Sequence, residues 1–110
     1  MYTYKAHIID VYDGDTVTAV VDLGFHVTMK IKVRLKGIDA PELRGDERPA
    51  GLVSKARLEE LILNKDVLLY TFKDKQEKYG RWLGDIVVPN TTDTVNNILL
   101  NEGLAVPYEQ

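Results

Sequence analysis

The stretch Phe25-His26-Val27-Thr28-Met29-Lys30-Ile31-Lys32-Val33-Arg34-Leu35 alternates apolar and basic residues from Met29 onward and predicts a long strand. It is followed by a loop, Gly37 to Arg48, and then by a helix from about Pro49 or Ala50 to Asn64. Pro49 suits a first helical turn, and Asp46 and Glu47 suit the positive helix end. Leu58, Leu61 and Ile62 form an i, i+3, i+4 seam expected to face a core, with Leu52, Ala56 and Leu63 as a second apolar cluster. Upstream, Tyr4 to Val11 and Thr16 to Val21 read as two strands joined by the hairpin signal Asp13-Gly14, and Asp22-Leu23-Gly24 marks the next turn. Downstream, Val67 to Phe72 and Trp82 to Val88 read as strands four and five. Thr92 and Asp93 offer cap chemistry for a short helix containing Val95, Ile98 and Leu99, which Gly103 ends.

Three strands, a helix, two strands and a short C-terminal helix make a mainly β protein with helices (α+β). The order fits a five-stranded OB-fold barrel with a helix between strands 3 and 4. An SH3-like barrel has no natural place for a helix of that length. At 110 residues the chain is expected to be one domain, residues 1–110, burying roughly 60–70% of its unfolded surface. No repeat or linker divides it.

Composition narrows the chemistry. The absence of cysteine excludes disulfides, thiolate zinc sites and thiol catalysis. His7 and His26 are far apart in sequence and offer no metal-binding pair. No apolar run approaches the ~20 residues of a membrane span, and the first twelve residues lack a signal-peptide core, so a cytoplasmic location is expected, with a secreted mature form as the alternative. Fourteen basic against seventeen acidic residues leave a net charge of −3, awkward for a protein that grips phosphates. Distribution offsets the sum: Lys30, Lys32, Arg34 and Lys36 share one strand face, and Lys73, Lys75, Lys78 and Arg81 form a second basic group.

Three short runs then bear on one chemistry: Asp13-Gly14-Asp15-Thr16, Arg34 through Glu42, and Lys78-Tyr79-Gly80-Arg81. Each alone is ordinary turn or surface material. Together they supply Asp15 and Asp39 as hard oxygen ligands, Glu42 as a candidate base, and Arg34 and Arg81 as permanent cations. That set suits phosphodiester cleavage beside a divalent metal. Pro41 stiffens the loop that holds two carboxylates three residues apart, and Gly80 permits a tight backbone before Arg81.

In order and spacing these runs resemble the thermonuclease (staphylococcal nuclease-like) family over nearly the whole chain, to Tyr108. The resemblance implies a calcium-dependent nuclease on an OB-fold, acting on DNA and RNA and leaving 3′-phosphates. It implies Asp15, Asp39 and the carbonyl of Ala40 as Ca2+ ligands, Glu42 as general base, and Arg34 and Arg81 as phosphate-binding arginines. Lys78 and Tyr79 are similar to contacts with a terminal phosphate, Leu83 to a base-pocket residue, and Tyr108 to a tyrosine that stacks on a base. Single strands are the expected preferred substrate, because the loop between Glu42 and the helix is short. The rival expectation is a catalytically silent OB-fold module that only binds nucleic acid or protein. The chain as given stops before the family's last helix. A monomer or a weak homodimer is therefore expected, the latter meeting through the face beside Val95, Leu99 and the segment Leu104 to Tyr108.

Overall fold

The computed structural model describes residues 2–76 and 79–109, with only the backbone for 73–76. Five strands close into a barrel: β1 (Tyr2–Asp13), β2 (Thr16–Asp22), β3 (Thr28–Leu35), β5 (Asp66–Gln76) and β6 (Trp82–Val87). They run round in the order β1-β2-β3-β6-β5. All barrel pairings are antiparallel except β3 with β6, which is parallel and sets Arg34 opposite Leu83. This is the expected OB-fold order. Helix α1 (Arg48–Ile62) lies between the third and fourth barrel strands, as the sequence predicts.

The barrel closes because alternate residues of every strand are apolar and point inward. Ile8, Val17, Ala19, Val33, Leu35, Leu69 and Ile86 are completely buried, and Leu58 and Ile62 of α1 and Val95 and Leu99 of α2 (Val95–Asn101) join them. Register shifts in β1 after Ile8 and Val11 are bulges that let one long strand bend between two neighbours.

Local differences from the sequence reading have identifiable causes. The third strand begins at Thr28, because Phe25 and His26 take left-handed conformations at the hairpin tip (φ 54° and 62°). The turn is held by Val27 N–H donating to Gly24 O and Leu23 N–H donating to Val27 O, both at 2.9 Å. The buried face of α1 is Gly51, Ser54, Leu58 and Ile62; Leu61 is only half-buried, while Leu52 and Ala56 are exposed. Gly51 lets the helix start pass close to the loop before it and Ser54 lets the helix approach the turn at Gly14, which the leucine pattern hides. The cap of α2 is Thr94, whose hydroxyl accepts from Asn97 N–H at 3.1 Å, while Asp93 accepts from Thr94 N–H. Gly103, at φ 73°, ends that helix with Leu104 N–H donating to Leu99 O.

Two features lay beyond the sequence reading. Strands β4 (Ile38–Asp39) and β7 (Val106–Pro107) form a small antiparallel clip, extended by Tyr108 N–H donating to Gly37 O. Buried Asn96 donates to Lys36 O and to Asp85 Oδ1, tying α2 to the residue after β3 and to the middle of β6. Val95 and Leu99 are buried completely, while Val106 and Tyr108 in the segment that follows remain exposed.

Candidate active site

The hairpin β1–β2 turns through Gly14 and Asp15, and that turn is pressed against the start of α1 and the loop after β3. A Cβ on Gly14 would stand 2.7 Å from the Cβ of Ala40 and 2.8 Å from that of Ser54, so only glycine permits the approach. The approach carries Asp15 into the loop. Its Oδ2 accepts from Ala40 N–H at 2.8 Å and lies 3.4 Å from Arg34 Nη1, while its Oδ1 accepts from the Thr16 hydroxyl at 3.1 Å.

Arg34 is the hub of this region. Although it follows the exposed Lys30 and Lys32 on the same strand face, its side chain is only 9% exposed. Nη1 donates to Leu35 O at 3.0 Å and Ile38 O at 2.9 Å, fastening the turn that ends β3. Nη2 donates to Asp39 Oδ1 at 3.4 Å. One guanidinium thus holds two carboxylates, one from the β1–β2 turn and one from β4. Tyr108, delivered by the β4–β7 clip, sets its ring 5.7 Å from the Arg34 guanidinium. Arg81 Nη1 donates to Thr16 Oγ1 at 3.3 Å, and its guanidinium lies 5.2 Å from the Tyr79 ring centre. Both arginines therefore border the same turn.

Asp13 completes the acidic side. Its Oδ1 accepts from Asp15 N–H at 3.0 Å, and burial, followed by the hydrogen bond and the charge of the Asp15 carboxylate, pushes its pKa up to about 6. The main cause is the water Asp13 loses on burial, and the neighbouring Asp15 carboxylate adds to it.

Glu42 stands two residues beyond Ala40 and is exposed; among the described residues its side chain makes no hydrogen bond or ion pair. Its backbone is fixed from below. A Cβ on Gly51 would fall 2.3 Å from Glu42 O, so α1 touches the main chain of this loop directly. Leu83, half-buried, lies beside Arg34 across the parallel pairing. Lys78 lies outside the described residues, as do the side chains of Lys73 and Lys75. The fold thus gathers Asp15, Arg34, Asp39, Ala40, Arg81, Tyr79, Leu83 and Tyr108 at one end of the barrel. Thr16, Asn96 and the β4–β7 clip, which sequence reasoning missed, hold them there. A threonine after Asp-Gly-Asp was the one visible signal among these.

Among the described residues, no three His, Cys, Asp or Glu side chains form a group able to hold a metal by themselves. The donors are nevertheless oxygen only, with half-exposed Asp39 facing outward and Asp15 drawn to the same guanidinium. A hard dication that takes its remaining oxygens from water and phosphate fits that set, and a softer metal does not.

Residues 32–110 match the family described as staphylococcal nuclease homologue. The probable staphylococcal-like nuclease CAN2 of Oryza sativa subsp. japonica is 39% identical over 61 residues, 56% of this chain and 15% of that protein. The probable staphylococcal-like nuclease CAN1 of the same plant is 33% identical over 79 residues, 72% and 22% respectively. An uncharacterized protein of Methanocaldococcus jannaschii is 28% identical over 128 aligned positions, 96% of this chain and 59% of that protein. The chain therefore spans less than two thirds of the length of each of these relatives. Among the described residues, no helix is long and apolar enough to cross a membrane.

Proposed function

Because the chain belongs to the staphylococcal nuclease homologue family, we propose that it is a calcium-dependent nuclease hydrolysing phosphodiester bonds of DNA and RNA, with single strands preferred. The observation that carries this reading is the convergence of Asp15 and Asp39 on Arg34, with Arg81 bonded to the adjoining Thr16. A site built only to stabilise the fold needs neither the half-exposed Asp39 nor a second arginine at its edge.

In this mechanism Asp15, Asp39 and the carbonyl of Ala40 would hold Ca2+, which would supply Lewis-acid polarisation of the phosphate. Arg34 and Arg81 donate to the non-bridging phosphate oxygens and stabilise the charge that builds on them. Arg34 retains donors for this: Nε and the second Nη2 hydrogen make no hydrogen bond among the described residues. Glu42, free of protein partners among those residues, takes a proton from water as that water's oxygen bonds to phosphorus. The bond from phosphorus to the 5′-oxygen breaks, the 5′-oxygen takes a proton from solvent, and the products are a 3′-phosphate and a 5′-hydroxyl. Leu83 and Tyr108 offer apolar surfaces to a base, while Lys78 and Tyr79 meet a terminal phosphate.

Digestion of a single-stranded oligonucleotide with calcium, magnesium or chelator tests the proposal. Calcium-dependent products ending in 3′-phosphate by mass spectrometry are expected. Products bearing 5′-phosphates overturn the mechanism, and no cleavage with any metal favours a silent binding module.

A further inference from the structure

Lys30 and Lys32 take no part in the site described above, yet they stand on the outer face of β3 in step with Arg34. The pairing of β2 with β3 sets Arg34 beside Thr16, Lys32 beside Thr18 and Lys30 beside Val20, so neither lysine has an acidic partner directly across β2. Both are exposed, and among the described residues neither forms an ion pair or hydrogen bond. Alternate residues of a strand are about 6.6–6.8 Å apart, a step comparable to the phosphate repeat of an extended single strand. The row begins at the guanidinium that organises the carboxylates. On a chain of net charge −3 it is not a fragment of a general positive field.

We propose that the outer face of β3 is a phosphate track for single-stranded nucleic acid: a strand engaged at Arg34 and Arg81 continues toward the hairpin tip with successive phosphates at Lys32 and Lys30. The proposal rests on the phosphodiesterase reading and adds the direction and chemistry of the substrate path. A duplex backbone winds away from such a row within a few phosphates, so the track favours single strands. The neighbours of Lys32 and Lys30 across β2, Thr18 and Val20, are uncharged and half-buried.

The test is fluorescence anisotropy on the full chain, in chelator so that no cleavage intervenes, with a labelled single strand of about 12 nucleotides, within the usual site sizes. Each phosphate contact contributes roughly 0.7 to the slope of log affinity against log salt. The double variant Lys30→Ala/Lys32→Ala should therefore lower the slope by about 1.4 and weaken binding severalfold at low salt. The control Lys5→Ala/Lys55→Ala makes the same charge change elsewhere and should leave the slope in place. Equal slopes in wild type and the β3 variant, or equal falls in both double variants, overturn the track. A matching duplex should lose less slope than the single strand; an equal loss overturns the single-strand assignment. If the wild type binds with the expected slope difference but cleaves nothing with calcium, the nuclease reading fails and the track stands. If it cleaves and the slope does not move, the track fails and the nuclease reading stands.

Discussion

The two ends of β3 are built from the same alternation of basic and apolar residues and meet opposite fates. At one end Arg34 is covered by the turn 35–38, Asp15, Asp39 and Tyr108. At the other, Lys30 and Lys32 remain in water, and the hairpin beyond them exposes Leu23, Phe25, Val27 and Met29. The strand's own sequence does not decide this. The difference comes from what returns to cover it: the loop after β3, clipped by residues near the far end of the chain. A basic residue becomes part of a site when distant segments remove its water and supply fixed partners; otherwise it is a solvated charge.

The largest effect should follow removal of the covered cation. Arg34→Ala leaves the Asp15 carboxylate buried without its counter-charge and strips donors from the carbonyls of Leu35 and Ile38. Breaking a buried pair from one side costs about 3–5 kcal/mol, to be read from urea unfolding. Turnover should also fall roughly 10²–10³-fold. A stability loss under about 1 kcal/mol, the scale of an exposed pair, would place Arg34 in the same class as Lys32.

Gly51→Ala tests how the covered end is held. Helix propensity favours alanine by about 1 kcal/mol, but the new Cβ meets main-chain atoms, Glu42 O at 2.3 Å and Pro41 O at 2.9 Å. Backbone cannot swing aside as a flexible side chain can. Overpacking should win, with a net loss of about 1–2 kcal/mol and lower turnover as Glu42 is displaced. Unchanged melting temperature and activity would show that the loop moves freely over the helix.

These contrasts mark what the sequence could and could not reveal. The order of strands and helices was legible because each barrel strand carries a period-two apolar pattern and the helix its own spacing. The carboxylates and arginines stood out as candidates because their runs are distinctive together. The start of β3 was not, since Phe25 and Val27 read as strand residues whereas the tip requires left-handed backbone. The β4–β7 clip is two residues on each side, too short for any periodic signal. Asn96 reads as an ordinary polar helix residue, and only its tertiary contacts, with the carbonyls of Lys36 just after β3 and Gly84 within β6, give it a role.

Covering the site also has an electrostatic cost, and Asp13 measures it. Its folded pKa of about 6 exceeds the unfolded value of 3.8, so the folded protein binds more protons between roughly pH 4 and 6. Stability from this group is present below about pH 4 and lost as pH rises through about 6. Asp13→Asn keeps an acceptor for Asp15 N–H while removing the charge. In chelator it should exceed the wild type by about 1 kcal/mol at neutral pH, the full shift being discounted for partial solvent screening. The advantage should vanish near pH 4. A constant offset across that range would assign the gain to something other than titration.

The smallest effect is expected at the uncovered end, and there its sign is informative. Phe25 is 99% exposed and sits at φ 54°, so its ring contributes almost no burial while its backbone occupies a conformation that Asn tolerates better. Phe25→Asn should therefore stabilise the protein slightly, by about 0.5 kcal/mol or less, a small rise in melting temperature. An exposed ring at a hairpin tip can also be a buried ring in an assembly. In that case the same substitution would destabilise by more than about 1 kcal/mol, and the melting temperature of the wild type alone would climb with protein concentration. That result would move the contrast between the two ends of β3 from covered against exposed to covered within the chain against covered between chains.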